Sequence, residues 1–156
     1  MTNALFLDVL TGTLAVLLLT AAVIDIRTFT ISNWLVLTVA LLAPLFWWGA
    51  GVSLPEVGWR VAIGAAVFVG LAATFYLGMM GGGDVKLAAA LALWFPPAAT
   101  LLFIVLMSLA GGVLTLIVII AHKLRSREGR PEIPYGVAIA FGGLWLVAQR
   151  FLNHFA

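Results

Sequence analysis

The sequence predicts an all-α, polytopic membrane protein of about six spanning helices, and three observations predict it. Apolar residues make up 64% of the 156 and charged residues only 9%, with a mean hydropathy of +1.20. Soluble chains hold roughly 45 to 50% apolar and about 25% charged residues. The apolar residues fall into runs near the roughly 20 residues that a helix needs to cross a bilayer. No run alternates apolar with polar residues as a membrane barrel strand does. Backbone polar groups in hydrocarbon must be bonded internally, so the runs are helices. The length has room for one domain, residues 1–156, and none for a separate soluble catalytic domain.

In order, the runs are Val9 to Ile24, Asn33 to Ala50, Val61 to Met79, Gly81 to about Thr100, Ala98 to Ala121 and Tyr135 to Phe151. The first reads as a retained helix, because residues 1–8 carry no lysine or arginine and further spans follow. The second opens on Asn33, which suits a helix N-cap. The fourth overlaps the fifth and is the weakest. Its apolar core, Leu87 to Phe95, stops at Pro96-Pro97, which ends or kinks any helix that reaches it. If that segment dipped and returned, the fifth helix would carry the basic stretch from Lys123 to Arg130 to the wrong side. A crossing that starts at Gly81 is therefore expected, with Asp84 and Lys86 in its first turns.

Lysine and arginine set the orientation, since they collect in cytoplasmic loops. The first, third and fifth connections hold Arg27, then Lys86, then Lys123, Arg125, Arg127 and Arg130, and the other side holds Arg60 and Arg150. The odd connections are expected in the cytoplasm and both termini outside. Trp47, Trp48, Trp59 and Trp94 fall on the outer side, where they suit an interfacial aromatic belt.

Composition removes several chemistries. The chain has no cysteine, and two histidines cannot supply a closed structural zinc shell, so neither a metal nor another cofactor is expected. The net charge of +2 is spread between apolar runs instead of forming a patch, so nucleic acid is not an expected partner. Among the serines Ser108 lies deepest in a span, and His122 is fourteen residues along the same helix, roughly 21 Å away. A serine protease fits poorly.

Ionisable groups in or beside spans are costly and by default functional. Asp8 and Asp25 bracket the first helix about 25 Å apart, on opposite faces, so those two cannot cooperate. Asp25 ends the first span and Asp84 begins the fourth, both on the cytoplasmic side. Two carboxylates held close cannot both ionise, so one serves as base and the other as acid. Such a pair activates water against an amide without a metal or a covalent intermediate. Gly81, Gly82 and Gly83 precede Asp84, and lacking Cβ atoms they admit a close backbone or a positive φ, so an extended substrate could lie there. Arg27 and Lys86 each follow an aspartate by two residues, a spacing at which helix residues do not face each other. Both can reach toward lipid phosphates.

These residues resemble a known family. Met80-Gly81-Gly82-Gly83-Asp84-Val85-Lys86 is similar to the G-x-G-D-x-K signature of type IV prepilin peptidases, within the wider G-x-G-D membrane aspartyl proteases. The stretch from Asp25 to Asn33 resembles the family's first motif, with Ser32 where proline is usual and Phe29-Thr30 in place of a frequent basic pair. Pro134-Tyr135-Gly136 resembles the segment that opens the last helix. The resemblance implies that Asp25 and Asp84 are catalytic, and that Gly81, Gly82, Gly83, Lys86 and Arg27 shape the site or bind substrate. It implies an endopeptidase of the bacterial cytoplasmic membrane that removes a short basic leader from pilin-like precursors. The chain looks like the short, peptidase-only form of tight-adherence, Flp-type pilus systems, in which N-methylation is not expected. Membrane lipid is the other expected partner. The alternative is a small proton- or cation-coupled transporter or channel subunit using the same aspartates.

Overall fold

The computed structural model describes residues 2–125, 129 and 131–154. They form six helices: α1 (Thr2–Thr28), α2 (Asn33–Gly49), α3 (Leu54–Tyr76), α4 (Gly82–Ala92), α5 (Pro97–Leu124) and α6 (Tyr135–His154). No strand occurs among the described residues. Arg127 and Arg130 of the basic stretch lie outside them. The protein is an all-α polytopic membrane protein in which α1, α3, α5 and α6 are long and apolar enough to cross a bilayer.

Two helices are shorter than expected. α2 has 17 residues and α4 only 11, about 16 Å of rise. The run read as Gly81 to Thr100 is thus divided: α4 stops at Ala92, a turn spans 93–96, and Thr100 belongs to α5. Pro97 explains the break, since its fixed φ and missing N–H suit the first turn of a new helix and not the middle of an old one. Ser32, not Asn33, caps α2, its side chain accepting from the Leu35 N–H at 3.3 Å. Asn33 is the first helical residue.

The helices run alternately up and down, so one end of the bundle carries the α1–α2 turn, the start of α4 and the start of α6. The short α4 is the central element, packed on α2, α3 and α6. Leu87, Ala88, Ala90, Leu91 and Ala92 are all buried. Its alanines keep the helix thin, and small residues on the neighbours complete the fit: Gly64 of α3 lies against Leu93, and Gly143 of α6 against Leu18 and Leu91. Close approach of small residues is what associates helices in lipid, where apolar burial adds little.

At the far end α4 is anchored by polar groups. Trp47 Nε1 donates to the Leu93 carbonyl at 2.8 Å, and Arg60 Nη1 donates to the Trp94 carbonyl at 3.0 Å. Arg60 is 6% exposed and pairs with Glu56 at 2.5 Å, the only ion pair among the described residues. These donors satisfy carbonyls that a helix end leaves open. The expected aromatic belt is accordingly reduced. Trp48 and Trp59 are exposed, but Trp47 is turned inward and Trp94 is buried with its indole donating to the Val39 carbonyl at 2.9 Å.

Candidate active site

Two buried carboxylates meet at the other end of α4. Asp25 stands one turn before the end of α1, and Asp84 lies at the third position of α4. Asp25 is 2% exposed and Asp84 6%. They are within electrostatic reach of each other, whereas Asp8 is near the other end of α1.

Each carboxylate is held by the backbone at a helix start, where free N–H groups and the helix dipole favour an acid. The Gly136 N–H, in the first turn of α6, donates to Asp25 Oδ2 at 2.7 Å. The Gly81 N–H donates to Asp84 Oδ2 at 3.2 Å, closing the start of α4. Asp84 Oδ1 is buried with no hydrogen-bond partner. An acceptor left open in a dry site is costly, and this one belongs to a residue that lines a cavity of about 640 Å³. That cavity lies among the ends of α1 and α3, the turn at Gly78 to Gly81, Thr115 of α5, and Pro131 to Tyr135. Asp84 faces it and Asp25 stands behind.

The glycines act through close approach. None of Gly81, Gly82 and Gly83 has positive φ; the left-handed turn after α3 falls on Gly78, at φ 68°. A Cβ on Gly83 would sit 2.8 Å from the Ile31 carbonyl oxygen, so the α1–α2 turn packs directly on α4. The expected room for substrate over Gly83 is therefore taken by Ile31. A Cβ on Gly82 would meet the Phe75 ring at 3.3 Å, and one on Gly81 would meet Asp84 Oδ2 at 2.8 Å. Gly81 lines the cavity.

Arg27 and Lys86 are exposed and neither pairs with an aspartate. Lys86 Nζ donates to Asn33 Oδ1 at 2.9 Å, tying the start of α4 to the start of α2.

The family model described as the type IV leader peptidase family matches residues 12–116, about two thirds of the chain. The chain belongs to that family. No curated protein and no solved structure matches it. Membership makes the protein a peptidase of the leader-peptidase kind and separates it from the transporter or channel alternative. The matched stretch contains both aspartates and stops before α6.

In this leader peptidase several residues at the site were not singled out by sequence reasoning. In the sequence Gly136 is only part of the segment opening the last helix, yet a Cβ there would lie 2.8 Å from Asp25 Oδ2. Glycine is what lets α6 bring its N–H to the carboxylate. Tyr135, of the same segment, is half-buried, with its hydroxyl 3.2 Å from Thr115 Oγ1. Ile31 is the turn residue that fills the space over Gly83. Asn33 gave a cap signal but no hint of Lys86.

Proposed function

We propose that the chain is one aspartyl endopeptidase domain in which Asp25 and Asp84 activate water together. The two carboxylates hold one proton between them and titrate as a pair. The ionised one takes a proton from water as the water oxygen bonds to the scissile carbonyl carbon, while the protonated one donates to the carbonyl oxygen. Collapse of the tetrahedral intermediate breaks the C–N bond as the proton gained from water goes to the departing nitrogen, and the proton on the former carbonyl oxygen returns to the carboxylate that gave it, so the pair again holds one proton. What carries this reading is the pairing of two buried acids from α1 and α4 beside a cavity that Asp84 lines, with one Asp84 oxygen buried and left without a partner.

The substrate in this reading is a pilin-like precursor with a short basic leader, cut at the cytoplasmic face of the bacterial inner membrane. Arg27, Lys86, Lys123 and Arg125 mark that face through the positive-inside tendency. Both chain termini then lie on the opposite side. In this reading the chain is similar to the short, peptidase-only form of tight-adherence, Flp-type systems, and the chemistry needs no cofactor. The test is co-expression of a precursor in membranes with wild type, Asp25→Asn or Asp84→Asn, scored by leader loss at matched enzyme abundance. Cleavage by wild type alone supports the pair; cleavage by either variant rejects it.

A further inference from the structure

The turn that joins α1 to α2 holds a conformation that its sequence does not favour. Phe29 has a φ of 51°, the only positive φ of a residue other than glycine among the described residues. In the left-handed region a Cβ crowds a neighbouring carbonyl oxygen, so a helix that ends this way commonly ends on glycine. The turn itself is needed. The Phe29 N–H donates to the Asp25 carbonyl at 2.8 Å, ending α1 one turn after the carboxylate. The chain then brings Ile31 onto Gly83 and beside Gly136. Glycine at position 29 would make the same turn at lower cost.

The phenylalanine side chain gives the fold little in return. Ile31, two residues on, is 9% exposed and carries the packing of the turn, whereas Phe29 is 44% exposed. Among the described residues its ring joins neither the apolar core nor an aromatic pair. The turn is held without it: Thr28 Oγ1 donates to the Ile24 carbonyl at 2.9 Å and lies 3.0 Å from Thr30 Oγ1. What the ring does border is the cavity that Asp84 and Gly81 also line, with Phe75 in the same wall. Backbone strain that persists at the wall of a site, with no packing to offset it, points to a side chain held for what it touches when the site is filled.

We propose that Phe29 is a substrate-contacting residue, its ring lying against the bound precursor beside the cut, and that the strained turn is the means of aiming it. An aromatic ring suits this work because it offers a large contact area and has little side-chain freedom to lose on binding. The turn thus carries two side chains with separate tasks: Ile31 joins the helices that hold the two aspartates, and Phe29 holds the peptide in front of them. This inference rests on the peptidase reading above.

The test measures precursor cleavage and melting temperature for the whole chain purified in detergent. Phe29→Gly keeps the turn and removes both the strain and the ring. It is expected to melt no lower than wild type. Its kcat/KM is expected to fall at least about tenfold, mainly through KM, as loss of a contact made alike in the ground and transition states does. Phe29→Tyr keeps strain and ring together and is expected to recover most of that loss. A ring that serves only as an anchor among lipid headgroups would leave kcat/KM of Phe29→Gly at the wild-type value, and that result overturns the proposal. So does a Phe29→Gly that melts clearly lower or fails to accumulate, because the fold would then depend on the ring. A fall in kcat with KM unchanged overturns it as well, since that marks a displaced Asp25 and not a lost contact. Wild type that cuts no precursor, or Asp84→Asn that does, removes the peptidase reading itself.

Discussion

The two ends of α4 are held by opposite means. At the far end the last carbonyls receive Trp47 Nε1 and Arg60 Nη1, and the Arg60 charge is met by Glu56. At the near end Asp84 keeps one buried oxygen without a partner while a second buried acid stands within electrostatic reach. The first arrangement lowers the energy of the fold. The second raises it, as arrangements of reactive groups commonly do. An 11-residue helix can carry that strain because its other end is fixed and its apolar face is buried against three neighbours.

That contrast is broken most sharply by removing a carboxylate. Asp25→Asn or Asp84→Asn is expected to lower precursor cleavage about 10³-fold or more, as loss of an acid–base partner does, with abundance in the membrane unchanged on an immunoblot. Gly136→Ala comes next. Its Cβ would collide with Asp25 Oδ2 and with Ile31 Cδ1, each at 2.8 Å. A shift of the carboxylate by about 1 Å is expected to reduce the cleavage rate about 100-fold, read from initial rates in membranes.

The far end responds in stability. Arg60→Met removes the donor to the Trp94 carbonyl and the partner of Glu56, and is expected to cost about 1 to 3 kcal/mol, seen as a lower melting temperature in detergent, while the folded fraction still cleaves. Lys86→Gln gives the smallest effect. The Lys86–Asn33 hydrogen bond is exposed, so a change within about 0.5 kcal/mol is expected in the same melting assay.

Which of these features the sequence discloses follows from physical reach. Asp25 and Asp84 stand out because charges at membrane depth are rare, and loop cations put both at one end. Pro96-Pro97 shows where the fourth run weakens, but Leu93 to Pro96, which continue the apolar run, form a turn and not a helix. Contacts between distant helices were not legible. Apolar periodicity says which face of a helix is buried but not against which partner, so nothing pointed Gly136 to Asp25 across 111 residues, or Arg60 to Trp94. Trp94 looked like a belt residue from its place near a span end; packing against Phe46, with ring centroids 5.3 Å apart, drew it inside.

The most direct test of the account is to purify Asp84→Asn and Arg60→Met and measure, for each beside wild type, both melting temperature and cleavage rate per folded molecule. The account predicts opposite losses: Asp84→Asn melts no lower than wild type and does not cleave, whereas Arg60→Met melts lower and cleaves when folded. Cleavage by Asp84→Asn, or a folded Arg60→Met that is as inactive as an aspartate variant, would contradict it.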